Sequence, residues 1–335
     1  MTEPVKLLFS EVTDDSRVRH HFCNLLTTSW LRPERALLDA YMVSVIEPFT
    51  KDLSGNCLDW GCTDASLSFA LLGGIFNFEY DDYLEVEWLS KLDDAARGVN
   101  VDFFDTTSSI SVAPDFKSPD RKFTHGISWK DSHISKAERF KIHEILSSQE
   151  FEKKLPYPDN YFSFILATNL FWIEGKTVLK NVLVDLAEKS KSGAKVLTIF
   201  PQRTMPLTIA HQLEGADKEW VKKIDRGISR NLLMNAMTLE EFTVLFESTG
   251  FKITNVVEFC PALISTIYQI GFRPMFPVFL NMYEKIKKVS PENLMEIKEQ
   301  WISTVADFML PLCDSEWMSK TGMQNTWYFF EIETI

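Results

Sequence analysis

The sequence predicts an α/β fold, a doubly wound and mostly parallel sheet with helical caps at both ends of the chain. Three observations predict it. Apolar strand-like runs alternate with amphipathic helical runs between residues 57 and 260. A strand–glycine–helix turn, LDWGCTDA, opens that series at residues 58–65. An aromatic run, WYFFEIE at residues 327–333, reads as a closing strand able to pair with residues 251–259.

Composition sets the bounds. The chain has 335 residues, long for one compact domain, so an enlarged domain or a core with appendages is expected. Hydrophobic residues make up 45%, enough for a large core. A formal net charge of −12 argues against nucleic acid as the main partner, because phosphate binding needs clustered Lys and Arg. The five cysteines are scattered, with no C-x-x-C pair and no metal-ligand spacing. They fit a reducing, cytoplasmic setting. Residues 1–15 are charged and lack the apolar centre of a signal peptide. The most apolar region, residues 259–283, is interrupted by Arg273, Pro274 and Pro277. It makes a poor membrane span and suits a pocket wall or a membrane surface.

The elements follow in order. Leu25, Trp30, Leu37, Leu38, Met42, Ile46 and Phe49 recur at helical spacing through residues 15–50, with Pro33 placed to start a second helix. Residues 57–61 read as a short buried strand and 64–72 as a helix. Residues 75–121 show little periodicity and read as an insertion that includes the acidic run YDDY at 80–83. Residues 122–129 then read as a strand, 132–146 as a helix, 160–168 as a buried strand and 176–190 as a helix. Ser192-Gly193 ends that helix, and 194–200 is the next strand. Thr238 caps a helix that stops at Gly250. Residues 251–259 form a strand, and helices fill about 261–313. Three units are expected: an N-terminal helical cap at 1–54, a core at 55–260, and a helical segment plus closing strand at 261–335.

The turn and its successors carry the chemistry. Leu58-Asp59-Trp60-Gly61-Cys62-Thr63-Asp64-Ala65 resembles the first-strand motif of the class I S-adenosylmethionine-dependent methyltransferases, especially the small-molecule type (methyltransferase type 11-like). Gly126-Ile127-Ser128 with Asp131 stands where that family has its second-strand acid. Leu155-Pro156-Tyr157-Pro158-Asp159 resembles the segment before the family's fourth strand, and Ser190-Lys191-Ser192-Gly193 the turn before its fifth. Thr238-Leu239-Glu240-Glu241-Phe242 through Gly250-Phe251 resembles the family's closing helix motif. Together these motifs cover residues 55–75 and 122–260.

The resemblance implies a Rossmann-like, seven-stranded doubly wound sheet and S-adenosyl-L-methionine as cofactor. It implies a cofactor site at Asp59, Gly61, Cys62, Thr63, Asp64, Ser128, Trp129, Asp131, Thr168, Asn169 and Leu170. Glu150 and Glu152 are alternative adenine-side acids. The expected acceptor pocket is built from Trp30, Phe171, Trp172 and residues near His211, the candidate general base. Several positions depart from the family. Thr63 and Ala65 replace glycines, where positive φ is costly. Ser128 replaces the ribose acid and offers one contact instead of two. Phe171-Trp172-Ile173 stands where many members carry a histidine. His133, beside the ribose candidates, is a weaker candidate base than His211, and His20-His21 fit helix-surface roles better than metal binding. No metal is expected.

The implied activity is methylation of a small molecule such as a sugar, glycolipid or secondary metabolite. Two alternatives share the fold: a non-catalytic interaction or regulatory subunit, and another S-adenosyl-group transferase such as an aminopropyltransferase. A dinucleotide oxidoreductase is disfavoured by the absence of G-x-G-x-x-G after the first strand. The sequence leaves the oligomeric state open, with a homodimer as one option.

Overall fold

A computed structural model describes residues 17–51, 53–79, 117–205, 217–220, 235–272, 275–314, 320 and 322–335. Seven strands form one sheet in the order β3-β2-β1-β4-β5-β7-β6. They are β1 (Cys57–Trp60), β2 (Phe123–Ser128), β3 (His143–Ser148), β4 (Phe162–Ala167), β5 (Ser190–Pro201), β6 (Phe251–Pro261) and β7 (Asn325–Thr334). The first five are parallel. β7 enters antiparallel between β5 and β6, from Lys195↔Glu333 to Pro201↔Trp327 on one side. This is the seven-stranded, doubly wound sheet expected from the sequence.

All four residues of β1 are buried, as a central strand covered by helices on both faces requires. The strand order runs outward in both directions from β1 and β4. The crevice above their carboxyl ends is therefore where such a sheet accepts a ligand.

The helices are α1 (Arg17–Thr28), α2 (Pro33–Ile46), α3 (Ser66–Leu71), α4 (Asp131–Ala137), α5 (Lys176–Lys189), α6 (Leu239–Glu247), α7 (Ala262–Ile270), α8 (Phe276–Val289) and α9 (Leu294–Met309). Pro33 opens α2 at its first turn, where a missing N–H costs nothing. A capping box starts α6: the Thr238 hydroxyl accepts from the Glu241 N–H at 3.3 Å, and the Glu241 carboxylate accepts from the Thr238 N–H at 2.8 Å. Phe200, Phe242, Phe246 and Phe330 pack in tilted and edge-on contacts where α6 meets β5 and β7.

The N- and C-terminal caps join. The Tyr41 hydroxyl donates to the Leu312 carbonyl and the Trp301 indole to the Trp30 carbonyl, each at 2.6 Å. Among the described residues no helix is long and apolar enough to cross a membrane.

Two expectations are corrected: Ser192-Gly193 lies inside β5, which follows α5 directly at Ser190, and one helix is shorter than its sequence suggests. The helix read over 132–146 ends at Ala137, and after a short 3₁₀ turn and Lys141 at φ +53° the chain becomes β3. β3 has one neighbour, β2. None of its six residues is fully buried, and Ile145 is exposed, so HEILSS carries no apolar strand signature. The acidic run at 80–83, within the 75–121 insertion, lies outside the described residues.

Candidate functional site

A cavity of about 800 Å³ opens above the carboxyl ends of β1, β2 and β4. Its sheet side is formed by Thr63, Asp64, Trp129, Glu152, Asn169 and Trp172, and its far side by Arg35 and Asp39 of α2 and Tyr268 of α7. A second cavity of about 280 Å³ adjoins it. Gly61, Ser128, Gln149, Glu150 and Asp185 line this one, and Phe151, Glu152 and Val178 are common to both.

The loop after β1 has the backbone of a glycine loop with only one glycine. Gly61, Thr63 and Ala65 lie at φ +71°, +52° and +63°. Such values are ordinary for glycine, and a β-branched threonine there is strained. The surroundings hold the conformation in place. The Cys62 N–H donates to the Ile127 carbonyl at 2.9 Å, and the Asn169 side-chain amide donates to the Gly61 carbonyl at 2.8 Å. The Asp64 carboxylate accepts from the Ser66 N–H and hydroxyl at 3.1 and 2.7 Å, which begins α3. A Cβ on Gly61 would stand 3.2 Å from Asn169 Cβ and 3.5 Å from the Trp129 ring, so glycine is needed for space as well as for φ.

Asp59 does not face the cavity. It is 1% exposed, and His143 Nε2 meets its Oδ2 at 2.9 Å. His143 sits on β3 and reaches Asp59 on β1 past Gly126 of β2, whose missing Cβ makes the room; a Cβ there would come within 2.6 Å of the imidazole. Cys62 Sγ completes a sealed trio with these two groups, with all three atoms within 4.8 Å of one another. Burial, with Asp59 and Asp64 nearby, pushes the Cys62 thiol well above its ordinary range, so it stays protonated.

Ser128 is 1% exposed and borders the smaller cavity, with its hydroxyl 2.8 Å from His133 Nδ1. Trp129 lines the larger cavity and packs on Phe151 with ring centroids 4.5 Å apart. Asp131 is exposed in the first turn of α4 and lines neither cavity. Thr168 and Leu170 are buried beside Asn169, and only Asn169 reaches the wall. Of the two acids considered for the adenine side, Glu152 borders both cavities and Glu150 only the smaller.

The expected acceptor pocket is rearranged. Trp30 is 3% exposed, lines neither cavity and packs on Tyr283 at 5.9 Å; it belongs to the joint between the caps. Phe171 is 2% exposed and packs edge-on against Trp327. Trp172, the next residue, lines the cavity. Two adjacent aromatics on a 3₁₀ turn point in different directions, so one belongs to the core and one to the wall. His211 lies outside the described residues.

The sequence reading missed the far wall. Arg35 Nε donates to Asp39 Oδ2 at 2.6 Å, one turn apart on α2. Asp39 Oδ1 is buried with no partner among the described residues. Burial raises the Asp39 carboxyl above its ordinary range, Arg35 opposes the rise, and Asp64 across the cavity adds to it. The only trace in the sequence is an Arg and an Asp at i,i+4 in a mostly apolar helix, a pattern shared with many surface pairs.

No known family model matches the sequence, and no curated protein matches it. Solved structures overlap it loosely. The [4+2]-cyclase SpnF is 12% identical, covering 88% of this chain and 80% of its own, with a TM-score of 0.42. Haemonchus contortus phosphoethanolamine N-methyltransferase 2, in complex with S-adenosyl-L-methionine, is 13% identical over 100% of this chain and 60% of its own, with a TM-score of 0.41. This chain thus spans about three-fifths of that enzyme's length. A SAM-dependent methyltransferase from Thiobacillus denitrificans, in complex with S-adenosyl-L-homocysteine, is 12% identical over 88% and 90%, with a TM-score of 0.41. Overlap at that level fixes neither family nor activity; the fold is defined by the strand order and the antiparallel β7.

Proposed function

We propose that the chain is an S-adenosylmethionine-dependent methyltransferase acting on a small molecule. The observation that carries this reading is the loop after β1. Three left-handed positions at alternate residues, Gly61, Thr63 and Ala65, two of them without glycine, are kept at the mouth of a large cavity at the sheet's switch point. Strain of that kind persists where a ligand needs the backbone close.

The cavity's residues fit the cofactor. Thr63, Asp64 and Asn169 would hold its amino-acid end. Trp129 and Phe151 would flank the adenine, and Glu152 would take the ribose hydroxyls in place of the acid missing at Ser128. When bound, the cofactor supplies an electrophilic methyl group on a sulfonium. The chain's own work is then to align the acceptor and to receive its proton. Asp39 Oδ1 accepts that proton, and Arg35 holds the other carboxylate oxygen in place. Trp172 and Tyr268 give the acceptor an apolar surface. His211 is the second candidate base in this reading.

The alternative of a non-catalytic member of the same fold draws on the Trp129–Phe151 contact, which brings together the two rings that would flank the adenine. A thermal unfolding scan with S-adenosylmethionine and S-adenosylhomocysteine separates the two. Ligand at a hundred times its dissociation constant adds about 2.7 kcal/mol to stability. A shift, followed by labelled-methyl transfer to a component of a small-molecule extract, supports the enzyme. No shift with either compound favours the non-catalytic reading.

A further inference from the structure

α8 has two unlike faces. Phe276, Leu280 and Tyr283 are buried against the caps. Met275, immediately before the helix, and Val278, Met282 and Val289 are 45%, 58%, 54% and 81% exposed. At helical spacing these four fall within an arc of about 60°. Single exposed apolar residues are common, but a stripe along four turns is not. Lys285 and Lys288 lie on one flank of the stripe, about 20° and 80° beyond its edge, and both are exposed. The only acid of α8, Glu284, is 3% exposed and paired with Lys287 at 3.6 Å. The free face of this helix is therefore apolar and basic in a chain whose net charge is −12.

We propose that α8 docks the protein on an anionic lipid surface. The apolar stripe enters the boundary between headgroups and acyl chains, while the lysines stay level with the lipid phosphates. Charge chooses this occupant over a second copy of the chain, because pairing two stripes would bring their lysines together, whereas an anionic bilayer neutralises them. Position supports it as well. α8 starts beside the cavity: Arg32, in the cavity wall, lies over the Phe276 ring at 5.6 Å. Docking through α8 would turn that rim toward the membrane. The inference does not depend on the methyl-transfer reading.

Co-sedimentation of the full chain with vesicles tests it, using phosphatidylcholine alone and phosphatidylcholine with one-third phosphatidylserine. The expected result is pelleting with the anionic vesicles, weakened by salt, and little with the neutral ones. The double substitution Val278→Glu with Met282→Glu should abolish pelleting and leave the melting temperature unchanged, since both side chains are exposed. Lys285→Glu with Lys288→Glu should weaken it by about 25-fold or more, at about fivefold per lysine. No pelleting with anionic vesicles overturns the proposal, and so does pelleting that the apolar substitutions leave intact. Conversion of a dimer to a monomer by Val278→Glu, seen by sedimentation velocity without vesicle binding, would assign the stripe to a second copy instead.

Discussion

The two walls of the cavity are built in opposite ways. The sheet-side wall comes from residues next to strand ends: Thr63 and Asp64 after β1, Trp129 after β2, Asn169 after β4. Its backbone is strained and fixed by hydrogen bonds from neighbouring strands. The cap-side wall comes from polar side chains on mostly apolar helices, Arg35 and Asp39 on α2 and Tyr268 on α7. Its backbone is ordinary, and the tension lies in a buried carboxylate with one unpaired oxygen. One wall stores strain in φ and the other in charge. Substitutions should therefore affect them differently.

The largest effect is expected at the cap. Arg35→Met leaves Asp39 buried without its partner and should cost about 3 kcal/mol in urea unfolding at neutral pH. The pH dependence has a definite sign. The folded state raises the Asp39 pKa, so the penalty on the fold builds as pH rises from the unfolded value of about 3.9 through the folded one, and the loss in Arg35→Met should shrink as pH falls back toward about 3.9. A loss independent of pH would mean that packing, not charge, dominates this wall.

Next comes Asp39→Asn. It should lower methyl transfer by about 100-fold in the extract assay and leave the cofactor-induced thermal shift unchanged. The wild-type rate should decline on the acid side through a pKa above the ordinary carboxylate value, and the variant should lose that limb. Equal loss of rate and of cofactor shift would show that the two walls are not separable.

Gly61→Ala probes the strained wall. The added Cβ meets Asn169 at 3.2 Å and must adopt a positive φ, so a stability loss of about 1–2 kcal/mol and a diminished cofactor shift are expected. The smallest effect has the opposite sign. Thr63→Gly and Ala65→Gly relieve left-handed strain but add freedom to the unfolded chain, for a net gain of about 0.5–1 kcal/mol each by denaturant unfolding. If either variant is destabilised, the threonine and alanine side chains contribute packing that outweighs the strain.

Legibility in the sequence followed the same division. The β1 turn, the capped α6 and the closing strand β7 can be read because local chemistry specifies them: a glycine at a turn, Thr238 three residues before Glu241, and an aromatic run in β7. β3 could not, because an edge strand with one neighbour and partly exposed residues lacks the apolar pattern that marks a buried strand. Trp30 and Phe171 were assigned to the pocket by type, and burial placed them in the core instead.

The sequence by itself determined the alternation of strands and helices, the loop after β1 and the charge that disfavours nucleic acid. These depend on residues close together in the chain, where periodicity and turn chemistry act directly. Only the tertiary structure decided that His143 crosses β2 past Gly126 to hold Asp59, that His133 covers Ser128, and that Arg35, Asp39 and Tyr268 face the loop across the cavity. Most of those contacts join residues separated by long stretches of chain, and the short-range one, His133 on Ser128, depends on α4 folding back over the end of β2. Their energy comes from burial and from excluded water, which no local pattern records.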